Sequence, residues 1–202
     1  MTYRIACTAL LLGLALPSAA RGEVTLPGIF SENMVLQRDM PVPVWGRAAD
    51  GEAVRVVVFD GGEILAEAKT TANKGRWRVE LDPLPAGGRY TLLIEADSGR
   101  RIFTNVLVGE VWLTCGQSNM IMPMEGTTDA NQAIAERSAY PRIRHVQIGR
   151  RDVHEVTEPA EDLEGFWGPV KWESATYLLP RSSRTDVPGS VSAVSYWFAR
   201  GL

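Results

Sequence analysis

The chain is poor in the residues and patterns that most often announce chemistry. It has two cysteines and two histidines in 202 residues. Cys7 falls inside an amino-terminal stretch that reads as a secretory signal, leaving Cys115 as the one thiol of a processed chain. An intrachain disulfide is then excluded, although export would permit one. Two histidines with no cysteine cluster and no His-Glu-x-x-His helix argue against zinc, and no metal is expected. No Walker or Rossmann glycine pattern occurs, so no cofactor is expected either. Basic clusters are also missing: 21 Lys+Arg stand against 24 Asp+Glu. Arg100-Arg101 and Arg150-Arg151 are isolated pairs, which argues against a nucleic-acid partner. Beyond the signal no apolar run approaches the ~20 residues that span a bilayer, so no membrane partner is expected after its removal. Repeats and low-complexity tails are absent.

What is present begins with that signal. Arg4 supplies the positive end, Ile5 to Leu16 the apolar stretch, and Ser18-Ala19-Ala20 the small residues of a cleavage site before Arg21. Residues 1–20 are thus expected to direct export, to a periplasmic or extracellular location. About 180 residues remain, enough for one medium domain or two small ones.

Residues 21–104 read as an all-β, sandwich-like domain, with short strands at roughly ten-residue spacing. Ala53 to Phe59 is rich in β-branched residues and stops at Asp60-Gly61-Gly62, a hairpin signal. Trp77, Val79 and Leu81 alternate with Arg76, Arg78 and Glu80, and Tyr90, Leu92 and Ile94 repeat the pattern. From residue 105 to 202 the pattern turns to strand and helix, the start of an α/β domain. A helix is expected from Thr128 or Asp129 to about Ser138, a strand over Ile143 to Ile148, and a long ordered loop over Asp152 to Val187. Trp167 and Trp172 in that loop either anchor it or stack on a sugar ring. Ser190 to Leu202 reads as a helix with Val191, Val194, Trp197 and Phe198 on one face.

The most informative stretch is Gly109-Glu110-Val111-Trp112-Leu113-Thr114-Cys115-Gly116-Gln117-Ser118-Asn119-Met120. The apolar run Val106, Leu107, Val108, Val111, Trp112, Leu113 predicts a strand buried on both faces, as in a parallel sheet. Ser118 then follows a small residue at the carboxyl end of that strand, where open α/β sheets place their chemistry. Two readings of the residues stand: an esterase nucleophile, or a polar turn capping the next helix. A serine nucleophile needs a base, and only His154 and His145 are available locally. His154 lies between acidic residues in a loop, and His145 among apolar positions of the expected strand. Glu110 reads as a group satisfying backbone groups at the strand end, and Glu125 as a pocket-lining residue with no assigned role.

Gly109-Glu110-Val111-Trp112 with Gly116-Gln117-Ser118-Asn119-Met120 resembles the nucleophile block of the sialate O-acetylesterase family, a branch of the SGNH or GDSL-like hydrolases. Leu36-Gln37-Arg38 and Pro43-Val44-Trp45-Gly46 resemble the opening of that family's β domain. Ser192-Ala193-Val194 and Tyr196-Trp197-Phe198-Ala199-Arg200 resemble its helix ahead of the second catalytic block. The chain departs at Thr114-Cys115, where the family more often has Cys-Ser or Cys-Ala, a change expected to touch packing rather than chemistry. The resemblance implies a β domain followed by the first part of an SGNH-type, flavodoxin-like α/β hydrolase domain. It also implies that Ser118 attacks an acetyl carbonyl, supported by Gly116, Gln117 and Asn119, with the Ser118 amide as one oxyanion donor.

The family's further glycine, asparagine and Asp-x-x-His blocks find no match in the chain, so an incomplete hydrolase is expected. The implied partner is an acetylated carbohydrate, cleaved without metal or cofactor. The alternatives are a non-catalytic carbohydrate-binding chain and an inactive fragment. Oligomeric state is left open.

Overall fold

The computed structural model describes residues 23–116, 118–122, 124, 127–128, 132, 140–146, 164–165, 168–169, 173–174 and 192–202. Seven strands build most of it: β1 (Val35–Gln37), β2 (Val42–Arg47), β3 (Ala53–Asp60), β4 (Glu63–Thr71), β5 (Arg76–Leu81), β6 (Gly87–Ala96) and β7 (Gly99–Gly109). Five form one sheet in the order β1-β7-β6-β3-β4, and β2 pairs with β5 in a second. All neighbours are antiparallel except β1 and β7, which run parallel. No helix among the described residues is long and apolar enough to cross a membrane.

Period-two alternation decides which faces are buried. Trp77, Val79 and Leu81 of β5 point inward while Arg76, Arg78 and Glu80 are exposed. From the larger sheet come Val54, Val56 and Val58 of β3, with Tyr90, Leu92 and Ile94 of β6. They join Val42 and Val44 of β2 in a single apolar cluster. Both sheets therefore drain one core, and its apolar burial is the main term holding them together. The β3–β4 turn runs through Gly61 and Gly62, both at positive φ. The buried Glu52 carboxylate accepts from the amides of Ala49 and Ser98, tying the start of β3 to the β6–β7 turn.

The outer face of the large sheet carries a row of charges across three strands. Arg55 donates to Glu95 at 2.8 Å and to Glu67 at 2.9 Å, and Lys69 lies 2.8 Å from Glu67. Arg55 first, then Lys69, hold the Glu67 carboxyl at about 2 against its ordinary 4.5. A carboxyl depressed by folding adds stability above its unfolded value and loses it as pH falls through the folded one. The Glu67 contribution is therefore complete above 4.5 and gone below about 2. Its carboxylate resonance should titrate near 2 in the native chain and move toward 4.5 in Arg55→Met. A native midpoint at the ordinary value would show that the row does not persist in solution.

Two expectations are corrected here. The run from Val106 to Leu113 is not one buried strand of a parallel sheet. β7 starts at Gly99, crosses the expected boundary at 104/105 and ends at Gly109 in a mainly antiparallel sheet. Val106, Leu107 and Val108 are buried, whereas Trp112 is 56% and Leu113 85% exposed. The strand stops because its partner does: β1 ends at Gln37, opposite Gly109. Of the second strand expected over Ile143 to Ile148, Arg144–His145 is extended (β8), and it pairs with Glu173–Ser174 (β11). Glu164–Gly165 (β9) pairs with Gly168–Pro169 (β10) within the expected loop.

The carboxyl-terminal helix, α1 (Ala193–Gly201), forms as expected, but of the expected face only Trp197 packs against the buried cluster. Ala193 and Tyr196 are buried with Met124, while Val194 and Phe198 are exposed. Val191, His154, Trp167, Trp172 and Glu125 lie outside the described residues; of the helix expected from Thr128 or Asp129 to about Ser138, only Thr128 and Gln132 are described, and Gln132 is helical.

Candidate active site

Two sequence blocks far apart in the chain meet where β7 ends. The parallel register sets Leu36 beside Val108 and Gln37 beside Gly109. The Arg38 amide then donates to the Gly109 carbonyl at 3.0 Å. The Gln37 side chain closes the junction. Its Oε1 accepts from the Val111 amide at 2.8 Å, and its Nε2 donates to Arg38 O at 3.2 Å and to Glu110 Oε2 at 3.4 Å. Glu110 was expected to satisfy backbone groups at the strand end; the contacts shown are instead with side chains, Gln37 and, at 4.0 Å, Arg38 Nε. Gln37 supplies a protein partner for an exposed backbone amide that has just left the sheet and would otherwise turn to water. It sets the direction in which the chain departs toward Ser118.

From Val111 to Gly116 the chain is exposed and outside any strand. It is fixed by contacts with α1. Trp112 meets Phe198 edge to face at 5.2 Å. The Ser195 hydroxyl donates to the Thr114 hydroxyl at 2.9 Å. Beyond the turn, the Ala193 amide donates to the Met122 carbonyl at 2.9 Å. Ser192 caps α1, its hydroxyl accepting from the Ser195 amide at 3.4 Å. Arg200 locks the other end of the helix: its guanidinium lies 4.8 Å from the Trp197 ring centre and 5.2 Å from that of Tyr140, whose hydroxyl accepts from Nε.

Ser118 opens a short 3₁₀ turn, Ser118–Ile121, against which α1 packs. Gly116, two residues earlier, has φ +148, and a Cβ there would lie 2.8 Å from Met120 Cγ. Both backbone conformation and space reserve that position for glycine. Asn119 is exposed, and its carbonyl accepts from the Met122 amide at 3.2 Å. Gln117 lies outside the described residues, as does His154. His145 is half-buried on β8 opposite Glu173, and its neighbour Val146 packs on the β core. Among the described residues no group of three or more His, Cys, Asp and Glu is placed to hold a metal.

Gln37, Thr114, Ser195 and Arg200 were not readable as site residues from sequence. Three of them lie in or beside stretches that resemble family blocks, but their partners come from other segments of the chain.

No family model matches the chain. Human sialate O-acetylesterase is 31% identical over 172 residues, 78% of this chain and 33% of the relative. The mouse protein of the same name is 28% identical over 141 residues, 66% of this chain and 26% of the relative. Among solved structures, a carbohydrate acetylesterase from Xanthomonas citri superposes with a TM-score of 0.72 at 33% identity, covering 89% of this chain and 37% of its own. The chain therefore spans about a third of the human relative's length. In sequence the chain is similar to sialate O-acetylesterases, and in fold to a carbohydrate acetylesterase.

Proposed function

We propose that the chain serves as a carbohydrate O-acetylesterase, a serine enzyme that removes acetyl groups from sugars. The observation that carries the reading is Gly116 at φ +148, a conformation that favours glycine, two residues ahead of the Ser118–Ile121 turn. In this reading the two sheets form a sandwich-like domain, and the residues after them begin an SGNH-type hydrolase domain. Ser118 Oγ bonds to the acetyl carbon while a base takes its proton. The sugar oxygen leaves with a proton, and water then releases acetate from acetyl-Ser118. A chain that turns over by itself draws the base from His154 or His145. The signal-like segment at residues 1–20 supports an exported, periplasmic or extracellular protein.

Acetate release from acetylated sialic acid and from acetylated xylo-oligosaccharides tests the activity and ranks the sugars. Acid quenching during turnover should trap an acetyl group on the Ser118 peptide, detected by mass. Sugar binding without acetate release would overturn the esterase reading in favour of a carbohydrate-binding chain. Acetate release with the label on another residue would displace Ser118.

A further inference from the structure

We infer that Ser195 is a positioning residue for the turn that carries Ser118, acting through the Thr114 hydroxyl; the inference rests on the esterase reading above. Residues 111–116 receive little help from burial, since Val111, Trp112, Leu113, Thr114, Cys115 and Gly116 are all exposed. They also receive none from strand pairing, because β7 has ended. A segment without either ordinarily samples many conformations, and a catalytic group on it loses its alignment. Here side-chain anchors stand in. Gln37 holds Val111, Phe198 meets Trp112, and Ser195 holds Thr114 at 2.9 Å. Thr114 is the anchor nearest to Gly116, and so governs how the chain enters the glycine-dependent bend.

Ser195 is suited to the task because its own backbone is fixed. Its amide donates to the Ser192 cap, and the flanking Tyr196 is fully buried. The hydroxyl therefore projects from a rigid element onto a segment that has neither burial nor strand pairing of its own. Thr114 is also the position at which the chain departs from the family's usual cysteine. The departure introduces a hydroxyl that has a partner in α1, so it is more than a change in packing.

The test pairs Ser195→Ala, Thr114→Val, their double variant and Ser195→Thr in the full chain. Backbone ¹⁵N order parameters at Cys115 and Gly116 read the turn directly. They should stay near the rigid value of about 0.85 in the native chain and in Ser195→Thr, and fall toward about 0.6 in Ser195→Ala and Thr114→Val. The kcat for acetate release should fall about three- to tenfold in each single variant, with KM nearly unchanged. The double variant should be no worse than either single one, as for two halves of one contact. Unchanged order parameters would overturn the inference, and so would additive losses in the double variant. If the native chain releases no acetate, the esterase reading falls separately. The order parameters then decide alone whether Ser195 holds the turn.

Discussion

Ser118→Ala should reduce acetate release by about 10⁴- to 10⁶-fold in kcat while leaving the fold intact. The size follows from the chemistry. The Oγ of Ser118 forms the bond that divides one difficult hydrolysis into two easier steps, and alanine offers no atom to replace it. The fold survives because the β core is built from residues 24–108, and the turn lies outside that cluster. The measurement is initial-rate acetate release beside a thermal melt of both chains. Equal melts with a rate loss of this size would fix Ser118 as the nucleophile. A variant within about tenfold of native would place the nucleophile elsewhere.

Gly46→Ala is expected to be among the most destabilising single substitutions in the chain. A Cβ built on Gly46 would lie 2.1 Å from the Thr25 carbonyl oxygen and 2.9 Å from Trp77 Cζ2. The first of these is backbone and cannot swing aside. Thr25 is held there by two hydrogen bonds with Arg47, each 2.9 Å, so moving it breaks the bridge that brings the amino-terminal segment onto β2. Trp77 is buried on β5, and its displacement disturbs the shared core. Overpacking with the loss of two backbone hydrogen bonds amounts to about 3–5 kcal/mol. That is a large share of the roughly 5–15 kcal/mol by which domains are stable. The melting temperature should drop by about 10 °C or more. A Gly46→Ala chain that melts within a degree or two of native would show that Thr25 does not sit over β2 in solution.

The physical content of the Pro43-Val44-Trp45-Gly46 string thus emerges only in three dimensions. Sequence periodicity was sufficient for β5 and β6, because alternation along a strand is local and each has one face on the core; β3, with Val56, Val57 and Val58 all buried, was legible from its β-branched residues instead. The hairpin at Gly61-Gly62 was legible from its turn residues, since two adjacent glycines readily take the positive φ that both adopt. Periodicity failed at Val106–Leu113, where two unrelated apolar stretches abut across Gly109-Glu110. The first is buried by β1 and β6, and the second leaves the sheet. Nothing local distinguishes them, since the stopping point is set by the end of β1 some seventy residues earlier. The inward face of α1 was misjudged because that helix is apolar nearly all round. Val194 and Phe198 offered as good a stripe as Ala193 and Tyr196, and packing against Met124 made the choice. At the candidate site, the string around Ser118 was legible as a string. Its supports were not, since Gln37 and Ser195 act through hydrogen bonds to residues 74 and 81 positions away.

The parallel pairing of β1 with β7 bears on how this architecture can be recombined. A chimera joined at residue 104 would sever β7 in mid-strand, since its pairing with β6 and β1 continues to Val108 and Gly109. A join just after Glu110 would preserve the sheet but strip the incoming segment of the Gln37 contact unless the donor presents its amide at the same place. The β portion is therefore not a detachable cassette. It is a jig, and any graft that exchanges the chemistry must arrive already fitted to it.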